Sequence, residues 1–370
     1  MQKQFIKKIF IFVLAVVMTL TTAGCMKDLD EPFTKQSYYF DTICDVTIYS
    51  FEDGVVEVTG EESFRVEADD VINEAFSFMA DCEKLLSRTV EGSDVDRINK
   101  ARGEAVKVDP MTFEIIKKGI EFGELSEGVF DITVGKASIL WDFHESLDGQ
   151  AASSIPNAKE LAEAVKHIDY KGIVLDEENM TVRLEDPEMM LDLGGIAKGY
   201  IADLAAEKIR SMGVDSAIVN LGGNIEVVGG KPDGVGGDPV KDFSLGIRDP
   251  LSDSGELLGI YPGKDLTVVT SGTYERFIEV DGKKYHHILD PNTGYPTDTD
   301  VLQVSIIAGA GHSVDCDGLS TTCLALGTEK GIELIRRLDE AGTYGSIEAI
   351  FVTNDGEILY SKDDTLFQVN

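Results

Sequence analysis

Cationic side chains are scarce in this chain. Lysine and arginine total 33 against 67 aspartates and glutamates, a formal net charge of -34 over 370 residues. Such a surface repels a nucleic-acid backbone, so no nucleic-acid partner is expected. An anionic ligand would need local help from backbone amides, a lysine or a metal. Cysteine is also scarce, at five residues, with no CxxC pair. The spacing of Cys44, Cys82, Cys316 and Cys323 fits no zinc pattern. Cys82, Cys316 and Cys323 fall in apolar, helical surroundings and read as small buried hydrophobes, with a disulfide left open. There are five histidines and one tryptophan. Trp141 reads as a packing residue, and His144 and His167 as isolated structural or surface groups. No internal repeat or low-complexity tract is present. With 43% hydrophobic and 27% charged residues, the body has the balance of a globular protein, long enough for a substantial core.

The first residues are a targeting signal rather than fold. Lys3, Lys7 and Lys8 precede an apolar run from Ile9 to Leu20, too short to span a bilayer, and Thr22-Ala23-Gly24 leads into Cys25. Small residues directly before a cysteine resemble a bacterial lipoprotein signal. The expected division is a signal peptide over 1–24, a lipid-anchored polar tether over 25–37 with Cys25 lipidated, and one domain over 38–370. An ordinary secretory signal with an incidental cysteine is the alternative. The lipoprotein reading places the protein on the extracytoplasmic face of a bacterial cell membrane.

Periodicity sketches the body. Apolar positions at three-to-four spacing predict a helix over 65–87. Asp109-Pro110 opens another through Phe122, and Asn157 with Glu160 caps one reaching His167. Ile173–Leu175 and Thr181–Leu184 read as a hairpin, 196–212 as an amphipathic helix, and Ser216–Asn220 as a strand. Residues 229–242 are a Gly-, Pro- and Asp-rich surface loop. Tyr274–Val280 and Lys283–Leu289, joined by Asp281-Gly282, form a further hairpin. A strand over Val301–Ala308, helices over 313–326 and 328–338, and a terminal hairpin at Asp355-Gly356 complete the reading. Helices and strands mix without a βαβ rhythm, which indicates one continuous α+β domain with room for two lobes.

Three segments carry possible chemistry. In Leu191-Asp192-Leu193-Gly194-Gly195-Ile196-Ala197-Lys198, two glycines before a helix permit close backbone approach to an anion, and Lys198 adds a positive charge. The same residues also read as a routine turn. In Asp317-Gly318-Leu319-Ser320-Thr321, a carboxylate and a hydroxyl four apart share a helix face and offer hard oxygen ligands of the kind magnesium takes. From spacing alone an aspartate cap, Asp315 or Asp317, is the favoured reading. The third is Ser271-Gly272-Thr273-Tyr274-Glu275-Arg276 followed by His286-His287-Ile288-Leu289-Asp290-Pro291. Strand neighbours face opposite sides, so one histidine of the pair points into a given pocket, where it can act as a base.

The order of these segments is more specific than any one of them. Together with Phe40-Asp41-Thr42, Ser93-Asp94-Val95, Gly128-Val129-Phe130-Asp131-Ile132-Thr133 and Val219-Asn220-Leu221-Gly222-Gly223-Asn224, they resemble the ApbE family of FAD:protein FMN transferases. The resemblance runs from about residue 38 to the C-terminal hairpin. It implies a single α+β ApbE-like (T-fold-like) domain of mixed, mainly antiparallel sheets flanked by helices. It further implies Mg²⁺ held by Asp317, Thr321 and a backbone carbonyl at Gly195, and FAD, the substrate, contacted by Phe40, Val129, Phe130, Asp131, Asp192, Lys198 and Ile288. His287 is the implied base. The implied reaction moves FMN onto a Thr or Ser hydroxyl and releases AMP. Implied acceptors are flavoprotein subunits of Rnf- or Nqr-type electron-transfer complexes. Two departures stand out: Ser320 where many members carry another aspartate, and Thr89 where the family has an aromatic. An FAD pyrophosphatase and a non-catalytic flavin-binding lipoprotein are the competing readings.

Overall fold

The computed structural model describes residues 31–370 except 53, 56, 57, 59, 144–154, 233–239 and 253. The signal peptide, Cys25 and His144 lie outside the described residues. Strands β1 (Phe33–Tyr39) and β2 (Thr42–Phe51) precede the long helix α1 (Glu61–Leu86). Then come α2 (Asp94–Lys100), β3 (Val106–Lys107), α3 (Pro110–Leu125), α4 (Gly135–Trp141) and α5 (Ala158–Ala164). β4 (Ile173–Asp176) and β5 (Thr181–Leu184) lead to α6 (Ala197–Ser211), β6 (Val214–Leu221) and β7 (Asn224–Val228). β8 (Phe243–Arg248), β9 (Leu257–Gly263), β10 (Leu266–Gly272), β11 (Phe277–Val280), β12 (Lys283–His286) and β13 (Val301–Gly309) follow. The chain ends with α7 (Ser313–Leu326), α8 (Thr328–Glu340), β14 (Ile347–Thr353), β15 (Ile358–Tyr360) and β16 (Gln368–Val369).

Eight strands form the central sheet in the order β1-β2-β6-β7-β10-β13-β14-β15, and every neighbouring pair is antiparallel. Helices α1, α6, α7 and α8 pack together and against this sheet. The α1 stripe Phe64, Val71, Ile72, Phe76 and Met79 joins Val46, Ile48, Val219 and Val304 in the main core. The three-stranded sheet β16-β9-β8 supplies Phe243, Leu245, Ile247 and Tyr261 to a second cluster with Val227, Val268, Ile307 and Ile350. Strands alternate their side chains, so one sheet feeds two cores through opposite faces. The result is the expected α+β domain of mainly antiparallel sheets, built around a single main sheet.

Several sequence boundaries shift. Residues 33–37, read as tether, belong to β1 and pair with β2 from Phe33↔Ile48 onward. Their polarity concealed a strand because β1 is an edge with alternating half-buried and exposed positions. Helix α5 is short and ends in a 3-10 turn, Val165–His167. The 274–280 strand starts only at Phe277, because Tyr274 turns inward and its hydroxyl donates to Gln303 Oε1 at 2.6 Å. Cys44, Cys82, Cys316 and Cys323 are buried free thiols, as small hydrophobes would be. Trp141 donates through its indole N–H to Gly294 O at 2.7 Å and stacks on Phe143.

Helix α7 decides where chemistry can sit. Eleven of its fourteen residues are buried, so it is a core element and its polar groups must be paired inside the protein. Asp203 of α6 caps it from outside, each carboxylate oxygen accepting one amide, from Ser313 and Val314 at 2.8 Å. Neither Asp315 nor Asp317 is the cap. Asp315 bonds Lys118 at 2.9 Å and His312 at 3.0 Å, which leaves Asp317 for another task.

Candidate active site

A cavity of about 750 Å³ opens where α6, α7, the β1–β2 turn and the β11–β12 hairpin meet, within the usual size range of small-molecule sites. Phe40, Val129, Phe130, Asp131, Asp192, Gly195, Lys198, His287, Ile288, Asp317 and Thr321 all line it. Segments separated by up to most of the chain are thus brought to one concavity.

The floor is the seam between α6 and α7. Asp317 Oδ2 accepts the Gly199 amide at 2.9 Å, while Oδ1 lies 3.8 Å from Lys198 Nζ, beyond hydrogen-bond reach. A side chain at Gly199 would sit 2.2 Å from Ser313 O and 2.7 Å from Asp317 Cβ, so glycine is what lets the two helices touch. One turn along α7, the methyl of Thr321 lies 3.7 Å from where a Gly195 Cβ would stand, and the Phe130 ring 3.1 Å from the same point. Asp317, Thr321 and the glycine-turn backbone therefore line one side of the same cavity. Ser320 does not join them: its hydroxyl donates to Asp317 O at 2.9 Å and meets Ser271 Oγ at 2.8 Å. Among the described residues no cluster of three His, Cys, Asp or Glu side chains can hold a metal. Thiophilic and imidazole-seeking metals are poorly served. A hard cation that keeps places for substrate oxygens needs fewer protein donors. The nearly fully buried Asp317, with Oδ1 lacking a close donor, fits such an ion.

Beside this floor, Asp192 is paired with Arg88 at 2.9 Å and accepts the Gly194 amide at 2.9 Å. Burial opposes its charge, but Arg88 and these donors outweigh it and hold the carboxyl below its ordinary value. The glycine turn is thereby tied to an ionised aspartate. Asp131 behaves differently. Its Oδ1 accepts both Thr133 N (2.7 Å) and Thr133 Oγ1 (2.6 Å), and Oδ2 accepts Tyr170 N (2.9 Å). Burial, partly offset by these donors, pushes its carboxyl up. The side chain staples the Val129–Thr133 loop, so the loop backbone and the Phe130 ring are what this segment offers a ligand. Thr89 lines the cavity with no ring to stack, its hydroxyl 3.0 Å from Ser87 Oγ.

On the opposite wall the histidine pair divides as strand alternation requires. His286 Nε2 turns to Thr297 O at 3.1 Å, and His287 faces the cavity. The Arg276 carbonyl lies 3.1 Å from both His287 N and His287 Nδ1. A carbonyl only accepts, so Nδ1 carries the proton and Nε2 is left as the basic nitrogen. Burial, and next the Arg276 guanidinium, push the imidazole well below its ordinary value, to about 3. At neutral pH it is an uncharged proton acceptor.

Four residues at this site have roles that were not assigned from the sequence: Arg88, Glu83, Arg276 and Gly199. Each acts across more than 40 positions of chain, through Asp192, the Phe40 amide, the Phe40–Asp41 carbonyls and Asp317 respectively. Only Gly199, inside an otherwise regular helix, carried a local hint.

The family model described as "ApbE family" matches residues 40–345. A curated FAD:protein FMN transferase of Klebsiella pneumoniae (strain 342) is 34% identical over 292 residues, covering 79% of this chain and 84% of that one. That of Treponema pallidum (strain Nichols) is 32% identical over 337 residues, covering 89% and 86%. Among solved structures, the ApbE protein of Thermotoga maritima superposes with a TM-score of 0.75 at 30% identity, over 90% of this chain and 97% of that chain. The flavin transferase ApbE of Vibrio cholerae gives 0.71 at 24% identity and shares the fold. On sequence match, fold and the order of the cavity's segments, the chain belongs to the ApbE family.

Proposed function

We propose that this protein is an FAD:protein FMN transferase, moving the FMN half of FAD onto a threonine or serine hydroxyl of an acceptor protein as a phosphoester and releasing AMP. The observation that carries the reading is His287, its Nδ1 3.1 Å from the Arg276 carbonyl, in one cavity with Asp317, Thr321 and Gly195. Simple capture of a flavin has no use for a positioned base.

Asp317, Thr321 and the Gly195 carbonyl would hold Mg²⁺. When bound, the ion neutralises charge on the diphosphate oxygens. The chain's own groups do the rest. Lys198, at the start of α6, offers a positive charge to the phosphates, and the amides of the glycine turn offer donors. Phe40, Phe130, Val129 and Ile288 supply apolar walls for the ring systems, and Asp192 a fixed carboxylate for sugar or base donors. The acceptor hydroxyl oxygen attacks the FMN phosphorus, and its proton passes to His287 Nε2. The P–O bond to the AMP phosphate breaks, and AMP leaves with the electron pair. Water in place of the acceptor would give free FMN, so the cavity must admit a side chain while excluding solvent.

The reading extends to location. Cys25 would carry the lipid, residues 26–32 would span to β1, and the catalytic body would sit at the extracytoplasmic membrane face. Acceptors there would be flavoprotein subunits of Rnf- or Nqr-type complexes. Incubation with FAD and Mg²⁺, with and without an acceptor domain, tests the activity. Acceptor-dependent AMP release with covalent flavin supports transfer; equally fast FMN release without acceptor makes the protein a pyrophosphatase.

A further inference from the structure

The β1–β2 turn is a two-residue connection, Phe40-Asp41, between paired Tyr39 and Thr42. Both residues are left-handed, at φ 53 and 57. Such turns call for Asn-Gly or similar pairs; an aromatic there is strained and persists only where its surroundings fix it. Two charged side chains do so. Glu83 of α1 accepts the Phe40 amide at 2.7 Å. Arg276 Nη2 donates to Asp41 O at 3.1 Å and approaches Phe40 O at 3.5 Å. The residue whose guanidinium grips this turn is also the one whose carbonyl receives His287 N and Nδ1.

We infer that Arg276 is a positioning residue for both halves of the site: its side chain holds Phe40 against the cavity, and its anchored peptide plane fixes the proton on His287 Nδ1, leaving Nε2 to face substrate. The inference rests on the transferase reading for its purpose but not for its test. Arg276 directly precedes β11, and His287 directly follows β12, with Phe277 paired to His286. One more rung of that ladder therefore carries the base, and its far end is bolted to the first turn of the sheet. A ligand that presses on Phe40 and a base that serves the same ligand are then set by one side chain. The arrangement also explains why an acidic protein keeps an arginine beside its base. A cation there disfavours the imidazolium, so the ring stays a proton acceptor.

The test uses Arg276→Ala and Arg276→Lys in the full-length protein, with three readouts. These are FAD affinity without acceptor, the ¹⁵N chemical shifts of the His287 ring, and flavin transfer. In R276A only Glu83 still holds the turn, and FAD binding weakens about tenfold if the held conformer falls to one in ten. The ring shifts move from a single Nδ1–H tautomer to a mixture, and transfer falls roughly 100-fold through loss of base placement. R276K keeps the charge but cannot span both carbonyls, so it loses FAD affinity while the ring remains uncharged at pH 7. A merely structural arginine would lower stability and leave the tautomer unmoved. An Nδ1–H ring and wild-type FAD affinity in either folded variant overturn the inference. Because tautomer and affinity are read without an acceptor, they stand even if the protein proves to be a hydrolase.

Discussion

Gly199 and Asp317 meet across the α6–α7 seam, the amide of one donating to the carboxylate of the other at 2.9 Å. This bond turns the carboxylate so that its second oxygen is free for the cavity, and only a residue without Cβ permits it. Gly199→Ala forces a methyl to within 2.2 Å of Ser313 O. The helices must separate, at a cost of about 1–3 kcal/mol. A lowered urea midpoint together with weakened Mg²⁺ dependence is expected. An alanine variant as stable and as active as the parent contradicts the geometry.

Asp317→Asn keeps the shape but removes the charge a divalent ion needs, so AMP release should lose its Mg²⁺ dependence while the fold survives. Asp317→Ala additionally strands the buried Gly199 amide and costs about 1–3 kcal/mol of stability. Thr321→Val, which removes one hydroxyl, should raise the Mg²⁺ concentration for half-maximal rate less than either. Unchanged metal titrations in all three variants would move the ion elsewhere.

His287→Ala should retain FAD binding and lose transfer by roughly 10²–10⁴-fold, the range of general-base catalysis. The pH behaviour is equally specific. With its value depressed to about 3, the free-enzyme ring stays neutral from pH 8 down through pH 5. An NMR titration showing His287 protonating near pH 6.5 would remove the neutral base from the account.

Glu226 offers a stability test away from the site. It is 2% exposed, with Oε1 accepting the Gly311 amide at 2.8 Å and Oε2 lacking a partner. Burial, then the nearby Asp203, push its carboxyl up to about 8. The folded state therefore favours the protonated form. That contribution is full below the ordinary glutamate range and is lost as pH rises through about 8. Urea midpoints of the parent should fall between pH 5 and pH 9, and Glu226→Gln should flatten that fall. Parallel pH curves for both proteins would refute the buried, protonated state.

How much of this was written locally in the sequence follows from the reach of each interaction. Helices α1, α3, α6, α7 and α8 were legible because apolar spacing and caps such as Asp109 act within one or two turns. The parity of His286 and His287 was legible because strand geometry alternates. β1 was hidden, since an edge strand needs only one half-buried face. On spacing alone Gly195 read as a turn and Asp317 as a cap, and only the order of the segments along the chain favoured a site. The roles of Arg88, Glu83 and Arg276 could not be read, although Arg276 closes a segment singled out for chemistry, because their partners lie 104, 43 and 235 positions away along the chain.

The most direct measurement is intact-mass analysis of an acceptor domain after incubation with this protein, FAD and Mg²⁺, with AMP quantified in the same sample. The account predicts one FMN, less water, added to a threonine or serine of the acceptor, with one AMP released per adduct and neither seen with His287→Ala. FAD consumed to free FMN with the acceptor mass unchanged would contradict it.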